Sequence, residues 1–309
     1  MSEIEINVTN PKLRKTLERF KQRILENEIY EAHQTLRTIA NRNVRTKSYN
    51  DAIDLLYHAA QILLKSSQPA TGSDLTSYLI EIYNDASIKV SIESKSKLIQ
   101  LISLFNSKEP TLKQVGIEAI NWSIKFGDYK FGEPDLHHIL GLKFLENNEL
   151  VYEAERNLIL GTNESFKPYV DLLWDWYLED SNSNNISLYI QRIVLNYLSV
   201  ENFKNAKEGL SILLQKFINK ENSSINYEII KQSNEDVFIF QDLKLLNFLQ
   251  LLLFTIQSKD LQNYNRLIAH YNEDIQPIND NLQLIGEIYF GIKVQKQQSI
   301  FDMMGSLLK

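Results

Sequence analysis

Apolar residues recur at helical spacing along almost the whole chain. Leu13, Leu17, Phe20 and Ile24 fall at steps of four, three and four, one stripe of a 3.6-residue helix. Similar stripes, separated by short polar breaks, predict fourteen helices, at 11–26, 29–46, 49–67, 73–86, 91–106, 111–126, 134–146, 150–161, 165–179, 185–199, 201–219, 242–258, 260–273 and 277–301. Pro11, Pro110, Pro134, Pro168 and Pro277 each stand where a stripe begins. Proline is tolerated in a first helical turn because its missing N–H has no partner there. Asn10 is placed to cap the first helix. The runs SNSNN (Ser181 to Asn185) and NKENSS (Asn219 to Ser224) read as loops.

A short pattern repeats within this array. An apolar residue, then Ala three positions on, then Leu four beyond it, occurs at Ile29/Ala32/Leu36, Tyr49/Ala52/Leu56, Val151/Ala154/Leu158 and Phe203/Ala206/Leu210. The small Ala lets a neighbouring helix approach closely while the larger residues fill the groove, which is the packing of tetratricopeptide-like hairpins. The fold class is therefore an all-α solenoid of helical hairpins. One segment departs from it. INYEII (Ile225 to Ile230) and VFIF (Val237 to Phe240), rich in β-branched and aromatic residues around the polar KQSNED, predict one inserted β-hairpin near 225–240. A lone hairpin is marginal in water and needs a surface to lie on, its own solenoid or a partner.

The chain has 309 residues, 43% of them apolar, enough for two domains or one elongated array with a continuous core. The absence of cysteine excludes disulfides, thiolate catalysis and Cys-type zinc sites. MSEIEINVTN shows no basic start followed by an apolar stretch, so no secretory signal is visible. The most apolar run, Leu243 to Ile256, contains Lys244, Asn247 and Gln250 and falls short of the roughly 20 residues a membrane span needs. It reads as a buried helix. No GxxxxGK[ST], GxGxxG or HExxH pattern occurs, and no Gly-flanked Ser suggests a nucleophile. His137 and His138 are adjacent, so on a helix they point about 100° apart and cannot share a metal. Asp135 and His138, three apart, read as a helix-start charge pair. We expect no catalysis, cofactor or metal.

The net charge is −6, which disfavours nucleic acid as the main partner, but its distribution is uneven. Residues 12–47 hold ten Lys/Arg and four Asp/Glu, +6, leaving −12 on the remainder. Lys15, Arg19 and Arg23 recur every four residues, with Lys12 nearby, and Arg37, Arg42 and Arg45 follow on the second helix. Such a face is either merely solvated or a binding surface. The contrast with the acidic remainder favours binding, with an acidic protein as partner. The helix at 242–258 is apolar nearly all round, so both its sides must be covered, by neighbouring helices, the hairpin or another chain. The apolar tail IFDMMGSLL (Ile300 to Leu308) can dock back or bind a partner.

Three stretches carry a family resemblance. YEAHQTLRTIANRNVRTKSYNDAIDLLYHAAQILLKSSQPATGSDL (Tyr30 to Leu75) resembles the N-terminal region of factor four of the guided-entry pathway for tail-anchored proteins, whose animal relative is the scaffold subunit of the transmembrane-recognition complex. FGEPDLHHILGLKF (Phe131 to Phe144) and YEAERNLILG (Tyr152 to Gly161) resemble its central motifs, and IFDMMGSLL its fungal C-terminus.

The resemblance implies a cytosolic scaffold without activity of its own, not inserted in the membrane. Its N-terminal half, 1–150, would bind the targeting ATPase that carries tail-anchored proteins to the endoplasmic reticulum. Its C-terminal half, 151–309, would hold the N-terminal segment of a ubiquitin-like adaptor. The adaptor in turn recruits a tetratricopeptide co-chaperone loaded with client. Its dimerisation gives a 2:2 assembly. The scaffold would also favour the closed ATPase and restrain hydrolysis until client arrives. Carried over by position, Lys15, Arg19, Arg37, Arg42 and Arg45 would meet the ATPase, with Asp74 regulating hydrolysis from the same face. Tyr30 and His33 would pack between helices. On the hairpin, Ile229, Val237, Phe238 and Phe240 would clasp the adaptor beside Leu246, Leu249 and Leu253. The competing assignment is a helical-repeat subunit of a proteasome-lid or signalosome-like complex. Such chains usually end in a winged helix, against the helix expected here to about 301.

Overall fold

A computed structural model describes Val8 and residues 10–221, 226–231 and 236–292. Its contacts divide the chain into two compact units, Met1–Tyr169 and Val170–Lys309. Among the described residues there are fourteen α-helices and one two-stranded sheet, the all-α solenoid with an inserted hairpin that the pattern predicts.

The first unit contains α1 (Pro11–Leu25), α2 (Ile29–Arg45), α3 (Tyr49–Lys65), α4 (Pro69–Asp85), α5 (Ile92–Leu104), α6 (Leu112–Phe126), α7 (Pro134–Leu145) and α8 (Val151–Leu160). From α1 to α5 each helix packs on the next-but-one, α1 on α3 and so on to α5 on α7, giving two layers of alternate helices. Asn10 caps α1, its Oδ1 accepting from the Lys12 N–H at 3.0 Å. The first four helices end on a residue in the left-handed region, Asn27, Lys47, Ser67 and Ser87, with φ of 66°, 59°, 58° and 52°. After each, the next N–H returns to a carbonyl in the preceding helix, for example Glu28 to Arg23 at 2.9 Å and Ser48 to Asn43 at 2.8 Å. These are Schellman turns, which satisfy the last helical carbonyls and reverse the chain within three residues.

The repeat residues sit where the helices come closest. Ala32, Ala52, Ala154 and Ala206 are all at most 1% exposed. Gly72 takes this place on α4: a Cβ there would lie 2.7 Å from Leu64 Cδ2. The repeat pattern misses this copy because Gly and Thr76 replace Ala and Leu. The predicted start at 73 also passes over Pro69, which opens α4.

The central motif has a packing role. Gly141 on α7 faces Leu158 of α8, where a Cβ would lie 2.8 Å from Leu158 Cδ2. Glu133, 7% exposed, accepts from Lys95 Nζ at 2.9 Å, and Asp135 accepts from the same nitrogen at 2.5 Å. Burial by itself lowers the Lys95 pKa, but the two carboxylates outweigh it and raise it. Asp135 therefore does not pair with His138, whose Nδ1 instead lies 2.8 Å from Ser165 Oγ. His33 is buried as expected, but Tyr30 is 71% exposed, so its packing expectation is corrected.

The second unit holds most of α9 (Phe166–Glu179), then α10 (Ile186–Ser199), α11 (Phe203–Glu221), β1 (Tyr227–Lys231), β2 (Asp236–Phe240), α12 (Lys244–Ser258), α13 (Leu261–His270) and α14 (Asn279–Phe290). α10 is central, packing on α11, α12 and α14. β1 and β2 pair antiparallel with Tyr227 opposite Phe240 and Ile229 opposite Phe238. The turn expected between them lies partly outside the described residues. The other edge of β2 is closed by two amides of α12. Gln250 Oε1 accepts from the Phe238 N–H at 3.0 Å and its Nε2 donates to the Phe238 carbonyl at 2.8 Å. Asn247 does the same for Phe240, at 3.0 and 2.7 Å. Each side-chain amide thus stands in for a residue of a third strand. α14 stops at Phe290 rather than 301 because Gly291 turns left-handed, φ 64°. The apolar tail lies outside the described residues.

Two substitutions check this packing. Ala52→Leu should lower stability by about 1–3 kcal/mol through overpacking, while Ala70→Leu, at an exposed site, should stay within about 0.5 kcal/mol, both read from urea unfolding. Asn247→Leu leaves the Phe240 N–H and carbonyl without their partners, at about 1–3 kcal/mol for each buried group. Its amide exchange at Phe238 and Phe240 should accelerate together; unchanged exchange would show that the α12 amides do not hold the strand.

Candidate functional site

Two surfaces bear the residues singled out above. On α1, Lys12, Lys15, Arg19 and Arg23 are exposed, opposite the buried stripe of Leu13, Leu17, Phe20 and Ile24. On α2, Arg42 and Arg45 are exposed. Arg23 Nη1 donates to Thr35 Oγ1 at 3.3 Å, which sets the register of this antiparallel pair. At about 1.5 Å per residue, Lys15 lies ~12 Å along α1 from that contact, and Arg42 and Arg45 lie ~11 and ~15 Å along α2. Thr35 and Arg42 are seven residues apart and share a flank. Lys15, Arg19, Arg42 and Arg45 are thereby brought level on neighbouring helices. None of these four makes an ion pair among the described residues, whereas Arg14 binds Glu18 at 3.0 Å and Arg23 lies 3.9 Å from Glu28.

Arg37 and Asp74 form a separate cluster. Arg37 Nη1 donates to both Asp74 oxygens, at 2.5 and 2.6 Å, and its guanidinium lies 4.9 Å over the Tyr78 ring. His33 Nε2 is 2.7 Å from Asp74 Oδ2, and the Tyr78 hydroxyl donates to Asn41 Oδ1. His33, Arg37 and Asn41 step by four along α2, so all three face α4, and Arg37 points about 140° away from Arg42. Four of the five expected cations thus stand exposed on the neighbouring helices α1 and α2, and the fifth, Arg37, turns with Asp74 to the flank of α2 that faces α4. A cavity of about 410 Å³ opens beside this cluster, bordered also by Glu81, Glu118 and Asn121. Burial raises the Tyr78 pKa, the Glu81 carboxylate adds to it, and Arg37 opposes. With the Arg37 and Asp74 side chains 33% and 41% exposed, this pair is worth at most about 1 kcal/mol and serves to orient rather than to stabilise.

The second surface is a groove of about 820 Å³ between α11, β2 and α12. Its apolar walls are Phe203, Leu210, Ile212 and Leu214 on one side and Phe238, Leu253 and Phe254 on the other. Lys207 Nζ reaches Gln257 Oε1 across it at 3.1 Å. Of the residues expected here, Phe238 and Leu253 line the groove. Leu246 and Leu249 are 0% exposed, and Val237 and Phe240 2%, so they form the support behind it. Ile229, 49% exposed, lies on the outer strand. Cover for the all-round apolar helix therefore comes from its own unit on most sides, and one side remains open. Phe203 and Ile212 escape a sequence reading, because only their pairing with α12 across space makes them walls. Asn247 and Gln250 carry a readable signal: two amides three apart on an apolar helix share a face.

Among the described residues, no three His, Asp or Glu side chains converge as a metal site, and no helix is long and apolar enough to cross a membrane.

The sequence model of the Golgi to ER traffic protein 4 family matches residues 46–308. Golgi to ER traffic protein 4 of Aspergillus fumigatus is 36% identical over 311 residues, covering 95% of this chain and 89% of the relative. The Schizosaccharomyces pombe protein is 33% identical, covering 92% of each. The human homolog is 24% identical over 91% of this chain and 81% of its own. A crystal structure of C. therm. Get4 superposes with a TM-score of 0.82 at 34% identity, covering 96% of both chains. On sequence along most of its length and on fold alike, this chain belongs to the Golgi to ER traffic protein 4 family.

Proposed function

We propose that this chain is the bridging scaffold in the guided entry of tail-anchored proteins into the endoplasmic reticulum. Its first unit docks the targeting ATPase through Lys15, Arg19, Arg42 and Arg45. Its second unit holds the N-terminal segment of the ubiquitin-like adaptor in the groove of Phe238, Leu253 and Phe254. The adaptor brings the client-loaded co-chaperone, and its dimerisation yields a 2:2 assembly. Arg37 and Asp74, off the cationic flank, form the regulatory contact that restrains hydrolysis. The chain acts without chemistry of its own, in the cytosol.

The observation that supports this most is a contrast between two exposed surfaces. One carries unpaired cations, which speed encounter with an acidic partner and fix its orientation. The other is an apolar groove of the size that buries a short segment. Membership in the family supports the pathway and displaces the lid-subunit alternative.

The paired charge reversal Arg42→Glu/Arg45→Glu tests the division of labour. Both residues are exposed and outside the core, so stability should stay within about 0.5 kcal/mol. ATPase affinity should fall at least about tenfold while adaptor affinity is unchanged, both by calorimetry. Equal loss of both, or of neither, would refute separate surfaces. Raising salt should weaken ATPase binding, since exposed charges are screened over about 8 Å at physiological ionic strength. A salt-insensitive affinity would mean a chiefly apolar interface.

A further inference from the structure

The hairpin has two edges, and α12 closes only one of them. Asn247 and Gln250 bond the backbone of Phe240 and Phe238 on the side of β2 away from β1. Backbone groups alternate sides along a strand, so Val237 and Ile239 turn theirs toward β1, opposite Ile230 and Glu228. On β1 the same alternation leaves the N–H and carbonyl groups of Tyr227, Ile229 and Lys231 pointing away from the sheet. Among the described residues these outward groups have no backbone partner. Ile229 and Ile230, 49% and 50% exposed, lie on opposite faces of the strand, so both faces stand open beside the edge. Free edges are commonly blunted by a proline or a bulge. β1 has neither: YEIIK contains no proline, and its register with β2 is continuous.

The open edge is complementary to itself. In an antiparallel pair centred on Ile229, Ile229 meets Ile229 of a second copy, and Tyr227 meets Lys231. Every outward residue of each strand then exchanges both of its backbone hydrogen bonds. The opposed side chains agree with this register. Lys231 lies against a Tyr227 ring, Glu228 faces Ile230, and no charge faces its like. Sliding the strands by two residues in either direction leaves one outward residue of each strand beyond the end of its partner. In one of those directions it also sets Glu228 opposite Glu228. A contact of this kind uses the same residues on both copies and closes at two. A five-residue strand pair buries less than the roughly 1,200 Å² of a stable interface, which makes the contact weak and concentration-dependent.

We propose that the outer edge of β1 pairs with the same edge of a second copy of this chain, antiparallel and centred on Ile229, so that two hairpins form one four-stranded sheet. This self-association belongs to the chain alone. It does not rest on the reading given under Proposed function, and it differs from a 2:2 assembly made through the adaptor.

Amide exchange of the full chain, read residue by residue, tests the edge. Raising the protein from about 10 micromolar to about 1 millimolar should slow exchange at Tyr227, Ile229 and Lys231 at least about threefold. Glu228 and Ile230, already facing β2, should change less. Outward amides that ignore concentration would overturn the pairing, whether or not the adaptor slows them; in the second case the edge takes a foreign strand. Disulfides read the register. The chain has no cysteine, so Glu228→Cys and Ile230→Cys each carry one thiol, at exposed positions. In an equal mixture under mild oxidation, the disulfide joining position 228 to position 230 should exceed either like-with-like disulfide at least about fivefold, against about twofold for random pairing. Random proportions would contradict the register. Ile229→Pro removes one outward N–H and spares the bonds to β2. Ile229→Lys leaves the backbone intact and sets like charges opposite each other. Both should abolish the concentration dependence of exchange at Tyr227 and Lys231, and its survival in either would refute the proposal.

Discussion

A helical array of this kind depends on neighbouring helices coming close enough to exclude water after a turn of only three residues. Two features meet that constraint together. The left-handed residues at Asn27, Lys47, Ser67 and Ser87 reverse the chain while satisfying the last carbonyls. Three residues after the start of the helices that follow the first three of these turns, Ala32, Ala52 and Gly72 provide the flat surface on which the neighbour rests. The turns recur every 20 residues, so the spacing is a property of the chain and not a coincidence of packing. A larger side chain at these points would push helices apart and displace the surfaces built on them, including the cationic flank of α1 and α2.

Much of this was legible in the sequence because helix packing is local. The 3.6-residue stripes, Asn10 as a cap and the Ala-centred repeat all depend on residues within one or two turns. The features that escaped depend on chemistry across space or on substitutions that preserve size but not identity. Gly72 fills the role of Ala and is invisible to a pattern written for Ala. Pro69 opens α4, whereas the apolar pattern begins the helix at 73. Gly291 stops α14 at Phe290, although the apolar pattern continues toward 301. For the two candidate surfaces, net charge revealed the basic segment. It could not reveal that Arg37 turns toward Asp74 and away from Arg42, because the two flanks of α2 are only five residues apart in sequence. Likewise Leu246 and Leu249 are as apolar as Leu253, and only the fold decides which of them faces the groove.

The hairpin shows how a polar requirement shapes an apolar site. A two-stranded sheet inserted among helices has two open edges, each with backbone groups that resist burial. Asn247 and Gln250 close one edge through four hydrogen bonds and hold β2 against α12. That seat is what fixes Phe238 as a wall of the groove. The cationic flank needs no such support, since its side chains are exposed and hydrated. The two surfaces therefore differ in kind: one is built by burial and hydrogen bonding, the other by leaving charges uncompensated.

Hydrogen–deuterium exchange of the full chain with each partner alone tests the two-surface account most directly. The ATPase should slow exchange within Pro11–Arg45 and leave Phe203–Gln257 unchanged, and the adaptor should do the reverse. Overlapping footprints, or protection by both partners on the same helices, would contradict it.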